Sequence, residues 1–451
     1  MNVTDLFSAA SNGDCNKIRS LLDEGMDVGA KDGDGFTALH HATKAGHCPA
    51  MELLLDRGAD IDVDGRHGRE PGKTGLTALH LAAMNSDCAA IALLLDRGAN
   101  LEPRNMYYQT ALHFAASRGD CDHVGLLLEW SMGCGTLEVR HQLSAALQQS
   151  SLSTEGGRCD AIALLLDRGA DIAALDDAGN TQLHYAAMEG NNKAILLLLD
   201  RGADLYKENE FGHFLLHMAA FGGHNNTVNL LLDRGMDVNI TIDHASTALY
   251  KAAQYGHHET FRLLCSRGAD LGIKDESDIG EMTPLLEAAE NGHCNVIDVA
   301  LTFGATLAER NSTGSTVLHL AVQYGGLDTV THLLSLPGVQ VNARGSQGET
   351  ALHEVVKRTR CHQVEMTEAL LMAGADCSIK DVDDQTASNL APKGTDIHRI
   401  LLYHQKHYPN LKRSCRAKIL SVLGNKTRQE EICQFGIPQE LKDFLLFKSI
   451  N

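Results

Sequence analysis

LLLDRGADIAALDDAGNTQLHYAAMEGNNKAILLLLDRGAD, residues 164–204, begins and ends on the same motif, and the two copies stand 33 residues apart. The motif returns as LLLDRGAD from Leu53, LLLDRGAN from Leu93 and LLLDRGMD from Leu230. A second motif keeps step with it: GFTALHHATKAGH from Gly35, GLTALHLAAMNSD from Gly75, GNTQLHYAAMEGN from Gly179 and GSTVLHLAVQYGG from Gly314. A fixed period of this length marks a repeat array, in which one supersecondary unit is copied along the chain. Anchored on the threonine of the second motif, the units begin at Thr4, Thr37, Thr77, Thr110, a degraded copy near Leu143, Thr181, Phe214, Thr247, Thr283, Thr316, Thr350 and Thr386. Longer intervals mark insertions of about 7 residues before Thr77, about 5 inside the degraded copy, and three each before Thr283 and Thr386.

The physics of one unit follows from its side chains. Thr77 is placed to cap a first helix by accepting from a free backbone N–H, and Leu79, Ala82 and Ala83 give that helix a narrow apolar face of small residues. After a turn at Asn85 to Asp87, Ile91, Leu94 and Leu95 make the stripe of a second helix, which Gly98 ends by tolerating a left-handed backbone. One such pair cannot bury its own face. Stacked pairs bury a continuous core, and the polar hairpins between them line up as a surface able to hold another protein. These motifs resemble the T-P-L-H-x-A-A and G-A-D units of ankyrin repeats over roughly residues 1 to 400. The resemblance implies an all-α repeat solenoid of about 11–12 helix-turn-helix units with β-hairpin loops. Only Thr283 is followed by the family's proline, Pro284.

Composition bounds the function. The chain has 451 residues, 39 Lys and Arg against 58 Asp and Glu, and a formal charge of −19, a field that repels phosphate backbones. No nucleic-acid partner is expected. At 43% hydrophobic and 22% charged the chain is too apolar to be disordered. Residues 1–14, MNVTDLFSAASNGD, lack the basic start and apolar stretch of a signal peptide, and no apolar run reaches the roughly 18 to 20 residues of a membrane span. The 12 cysteines therefore read as free thiols in a reducing compartment, the cytoplasm and also the nucleus, with no membrane partner.

Several patterns invite chemistry and give a structural reading instead. His40, His80, His113, His184, His217, His319 and His353 share one repeat position, where an imidazole can bridge backbone groups of successive units. Cys15, Cys48, Cys88, Cys121, Cys159 and Cys294 recur just after the first helix's turn and read as small buried fillers, too far apart between neighbouring helices to cross-link. The insertion GRHGREPGKT, 65–74, ends in Gly72, Lys73, Thr74, but His67 stands where a phosphate-binding loop needs its first glycine. No catalytic residue, metal ligand or cofactor site is expected. The chain reads as a binding protein, with the loops at Asp64 to Gly75 and Gly133 to Gly157 as further contact elements.

Residues 401–451 change character, with nine Lys and Arg against four Asp and Glu, net +5, leaving −24 for the rest. Leu411, Cys415, Ile419 and Leu423 follow one another at intervals of four and make an apolar strip. After a break at Gly424 to Lys426 come Phe435, Gly436, Ile437 and Pro438, then LKDFLLF from Leu441. This order resembles a SOCS box. LKRSCRAKI looks like its Elongin-binding BC box, with Leu411 as the anchor and Cys415 and Ile419 beside it. Phe435, Gly436, Ile437 and Pro438 align with the L-P-apolar-P cullin box, Gly436 standing in place of the first proline. An array at 1–400 followed by a SOCS box at 401–451 is the arrangement of the ankyrin repeat and SOCS box family. That resemblance implies a non-catalytic substrate receptor of a ubiquitin ligase, joined through Elongin B and Elongin C to cullin-5, in preference to cullin-2, and a RING protein. The other reading is an ankyrin scaffold without ligase coupling.

Overall fold

The computed structural model describes residues 3–65, 75–131, 157–276, 280–357 and 362–407. Each threonine-anchored motif opens one helix of a pair, and each LLLD run ends the other. In the unit Met1–Met236 the pairs are Val3–Ser11 with Cys15–Asp23, Ala38–Lys44 with Cys48–Asp56, Ala78–Asn85 with Cys88–Asp96 and Ala111–Arg118 with Cys121–Ser131, then Gln182–Met188 with Asn192–Asp200 and Leu215–Phe221 with Asn225–Asp233. Gly157–Asp167 is the second helix of the degraded copy, and it packs against both Cys121–Ser131 and Asn192–Asp200, so the row of second helices continues through that copy. The stretch around Leu143 lies outside the described residues. In the unit Asp237–Asn451 the pairs are Ala248–Gln254 with His258–Ser266, Pro284–Glu290 with Cys294–Thr302, Ala351–Lys357 with Gln363–Met372 and Ala387–Leu390 with Asp396–His407. Between them, Val317–Leu320 runs through a π-helical turn at Ala321–Gly325 into Gly326–Ser335.

First helices approach closely because their facing residues are small. Ala42, Ala82, Ala83, Ala115, Ala116, Ala186, Ala187, Ala219 and Ala220 are all buried. The second helices supply the volume, with Ile91 and Leu94, Ile162 and Leu165, Ile195 and Leu198, and Val228 and Leu231 at 0% exposure, one helical turn apart in each case. Helix starts are capped by Asp14, Asp87 and Asn191, whose side chains accept from Lys17, Ala90 and Ala194 N–H at 3.0, 3.0 and 3.1 Å. The second helices end on a glycine. At Gly202 the backbone turns to φ +90° and Ala203 N–H returns to Leu198 O at 3.0 Å, which accounts for the glycine in every DRG motif. The arginine of that motif reaches the aspartate of the preceding copy, as in Arg57–Asp23 at 2.8 Å and Arg201–Asp167 at 2.7 Å. Both pairs are solvent-facing, so they contribute little.

The loops between units are tighter than hairpins with strands. Among the described residues they carry isolated bridges, for example Gly65 with Leu76, Thr241 with Thr247 and Arg310 with Thr316. A side chain does the work of a ladder. Asp176 Oδ1 accepts from Ala178 and Asn180 N–H at 2.9 and 2.7 Å, and Asn105, Asn209, Asn311 and Asp381 repeat the arrangement. Successive turns touch. Glu210 N–H donates to Ala178 O at 3.0 Å, and a Cβ on Gly179 would stand 2.6 Å from Glu210 N, so glycine is required there.

Leu198 lies in the middle of the first unit's described stack at 0% exposure. Leu198→Ala is expected to destabilise the chain by about 3 kcal/mol through lost transfer energy and the remaining cavity. Urea unfolding followed by circular dichroism measures this.

Candidate partner-binding surface

The surface is positioned by two series of histidines. In the first, Nδ1 of His80 accepts the Thr77 N–H at 3.1 Å and lies 2.9 Å from Thr77 Oγ1, closing a capping box at the helix start. The same ring reaches forward, its Nε2 lying 3.1 Å from Gln109 O in the next unit. His40 reaches Leu76 O, His184 reaches His213 O, His319 reaches Glu349 O and His353 reaches Gln385 O at 3.1 to 3.2 Å. These are bridges between successive units, as the sequence position implies. Burial lowers the pKa of each ring, to about 4 for His40 and His113. The rings are thus neutral at pH 7, with Nε2–H donating to the carbonyl.

Where histidine is missing, the bridge is rebuilt from other groups. Tyr250 holds the histidine position of its unit, and its hydroxyl donates to Glu287 of the next at 2.6 Å. Asn291 Nδ2 holds the other carboxylate oxygen at 2.9 Å. In the following unit Leu286 stands in that position, and Thr283 Oγ1 bonds to Glu309 instead, at 2.6 Å.

The second series is absent from the sequence reading. His47, His224 and His293 precede the second helices, and their Nε2 atoms lie 3.0, 2.8 and 3.0 Å from Ser11 O, Met188 O and Gln254 O in the preceding unit. They satisfy carbonyls at the ends of first helices, which have no intrahelical partner. One unit is therefore tied forward through its first helix and backward through its second.

On this frame the turns present their side chains. Asp34, Asp177 and Glu210 in the first unit and Asp383 and Asp384 in the second are exposed tip residues, so the tips carry negative charge. Aromatic groups interrupt them. Met106, Tyr107 and Tyr108 are 52%, 49% and 76% exposed on one turn, and Phe211 is 63% exposed on another. Tyr108 has φ +61° at a place that Gly35, Gly179, Gly212 and Gly314 fill elsewhere at φ +71° to +79°. A left-handed tyrosine costs roughly 1–2 kcal/mol. The turn holds it there through Asn105, whose side chain accepts from both Tyr107 and Gln109 N–H at 2.9 Å. The ring is thus both exposed and held at the expense of strain.

Ankyrin-repeat models match residues 2–65, 66–137, 183–275 and 274–345, with further repeat models at 153–199 and 347–382. The chain belongs to the ankyrin-repeat family. Among curated proteins it is 29% identical over 175 residues to ankyrin repeat and SOCS box protein 11 of Mus musculus, covering 39% of this chain and 52% of that one. It is 28% identical over 164 residues to ankyrin repeat and SOCS box protein 9 of the same species, covering 36% and 54%. NF-kappa-B inhibitor zeta of Homo sapiens is 32% identical over 114 residues, or 24% of this chain and 16% of its own. The match spans about half the length of the SOCS-box relatives.

The residues expected to bind Elongin and cullin, Leu411, Cys415, Ile419, Phe435, Gly436, Ile437 and Pro438, lie outside the described residues, as does most of the insertion holding Lys73 and of the loop at 133–157. The last described ankyrin element is the helix Asp396–His407, which packs on Gln363–Met372 and Ala387–Leu390 with Ile397, Ile400 and Leu401 buried. It runs through position 400/401. Among the described residues no helix is long and apolar enough to cross a membrane, and no group of three or more His, Cys, Asp or Glu could hold a metal ion.

The cysteine reading needs correction. Cys88 is exposed, and Cys15, Cys48, Cys159 and Cys294 are partly exposed rather than buried. Cys15, Cys48, Cys88, Cys121 and Cys294 are the first residues of their helices. The buried face begins two and three residues later, at Ala50 and Met51 or Ala90 and Ile91, and the 3.6-residue period turns the first position off that face.

Two measurements follow from this surface. His40 and His113 take up a proton near 6.5 in the unfolded chain and only near 4 in the folded one, and burial lowers the other bridging rings in the same direction, so their contribution to stability is complete above about pH 6.5 and is lost as pH falls toward 4. The urea midpoint should drop between pH 7 and pH 5, with His40 and His113 each contributing on the order of 1–2 kcal/mol. Equal midpoints would mean that the rings titrate freely. Tyr108→Gly should leave stability unchanged or raise it by up to about 1 kcal/mol, since it relieves the turn and removes no buried contact. A loss in the same urea assay would show that the ring is packed.

Proposed function

We propose that the chain is a substrate-recognition adaptor of an Elongin B/C–cullin-5–RING E3 ubiquitin ligase. The observation that carries this is an ankyrin array followed by LKRSCRAKI at 411–419 and FGIP at 435–438, the order of a SOCS box, in a chain similar to proteins named for that combination. The array of residues 1–400 binds a target, and 401–451 is the module that couples it to the ligase. Leu411 enters an apolar pocket of Elongin C, with Cys415 and Ile419 packed beside it, a helix-in-groove mode in which a few anchors dominate. Phe435, Gly436, Ile437 and Pro438 meet the cullin.

The chain itself supplies no catalytic residue in this role and acts in the cytoplasm or nucleus. It raises the effective concentration of target lysines near a ubiquitin-loaded enzyme. Its target meets the turn tips, where Tyr107 and Tyr108 provide rigid anchors and the acidic tip residues favour a basic partner, steering encounter more than affinity. The likeness to NF-kappa-B inhibitor zeta supports a second reading, an ankyrin scaffold without ligase coupling.

Co-expression of the full chain with Elongin B and Elongin C separates the two. A stable ternary complex, lost in Leu411→Ala/Cys415→Ala, is the expected result. Failure of the unaltered chain to retain the Elongins would leave the scaffold.

A further inference from the structure

The first residue of a second helix can meet a residue in the first turn of the next unit's second helix. Thr227 Oγ1 meets Asn192 at 2.8 Å and Cys294 Sγ meets Thr329 Oγ1 at 3.8 Å in this way, each pair 35 residues apart. At the facing position second helices elsewhere carry Ala50, Ala90, Ala161, Ala194, Thr227, Thr260, Val296 and Thr329. In the helix Cys121–Ser131 it is His123. The periodic contact therefore sets an imidazole against a thiol once, Cys88 Sγ standing 3.1 Å from His123 Nε2. His123 is 4% exposed, whereas Cys88 is open to solvent. On the other side of the ring, Asp120 Oδ2 lies 2.5 Å from His123 Nδ1, a charge contact whose angle departs from an aligned hydrogen bond. Asp120 also lines a surface recess with Ser86, Arg118, Cys121 and Asp122.

We propose that Cys88 is a site of covalent modification by hydrogen peroxide and small organic peroxides, with His123 as the base that takes its proton and Asp120 as the residue that positions His123. A nucleophile, a base in contact with it and a carboxylate behind the base are the parts that make a thiol reactive. They are needed here. Partial desolvation by the neighbouring helix pushes the solvent-facing Cys88 thiol above its usual pKa, and the carboxylates of Asp120, Asp122 and Asp87 push it the same way, so the resting group is the thiol. Transfer of the proton to His123 Nε2 generates the thiolate beside an imidazolium that Asp120 stabilises. The thiolate sulfur attacks one peroxide oxygen. The S–O bond forms as the O–O bond breaks, sulfur is oxidised by two electrons to the sulfenic acid, and the departing hydroxide, or the alkoxide of an organic peroxide, takes the proton from His123 to leave as water or alcohol. Helix position alone does not produce this chemistry, because Cys15 and Cys48 open their helices in the same way and face Ala50 and Ala90.

Those two thiols are internal controls. The full chain is treated with dilute hydrogen peroxide in the presence of dimedone, and labelling at each cysteine is followed by peptide mass spectrometry. Cys88 should be labelled on the order of ten-fold faster than Cys48 or Cys15. His123→Thr, which installs the residue found at the same position as Thr227 and Thr260, should bring Cys88 down to their rate while leaving Cys48 unchanged. Asp120→Asn should give an intermediate rate. Should His123→Thr fail to fold, the comparison among cysteines in the unaltered chain still decides. Labelling of Cys88 no faster than Cys48, or a Cys88 rate indifferent to a folded His123→Thr, would overturn the proposal.

Discussion

The hydrogen bond from a buried, neutral imidazole to a carbonyl of the next unit is the interaction on which the described structure rests. A solenoid must join its copies without the long-range contacts that close a globule, and apolar stacking alone leaves the spacing free to slide. The His80 ring removes that freedom. It holds its own helix start through Thr77 and the neighbouring loop through Gln109 O, so cap, helix and loop are fixed by one side chain. The second series, through His47, His224 and His293, adds a restraint in the opposite direction. Burying each imidazole in this way makes the ring neutral and directional, which a charged group could not be at the same cost in desolvation.

Fixing the frame frees the turn tips from any duty to the core. Their backbones are closed by an Asp or Asn side chain, so the exposed residues between are chosen without regard to the core, while positions such as Gly179 answer only to the neighbouring turn. That separation explains how Tyr108 is kept in a backbone region suited to glycine. The scaffold around Asn105 determines the turn, and the side chain follows. Binding surfaces of repeat proteins diversify through this division of labour.

Much of the fold was legible because it is periodic. The spacing of Leu79, Ala82 and Ala83 and of Ile91, Leu94 and Leu95 predicted both helices of the unit, and all six residues are buried. The bridging role of His40 and its counterparts followed from their shared position. The backward series was hidden because its position is shared among His47, His224, His257 and His293 and Asp14, Asp87, Asp120 and Asn191, so no single residue type fills it throughout. The cysteines were misjudged for the opposite reason. Their recurrence was equated with burial, whereas the helical period places the first residue of the helix off the buried face. Cys88 and His123 are separated by 35 residues, two more than the period, and their contact becomes visible only once helix starts are known. The missing glycine at Tyr108 was readable in principle by aligning the turns.

The range of these tethers has a consequence for how the protein is made. Cross-unit side-chain bonds such as Asn85 to Lys44 O and Arg97 to Asp56 span about 41 residues, and most span fewer. A unit leaving the ribosome therefore finds its backward docking partner already synthesised, and its forward histidine bond waits only for the unit that follows. Low sequence separation of contacts also favours rapid folding. Growth of the array can thus keep pace with translation, each new helix pair adding to a finished edge.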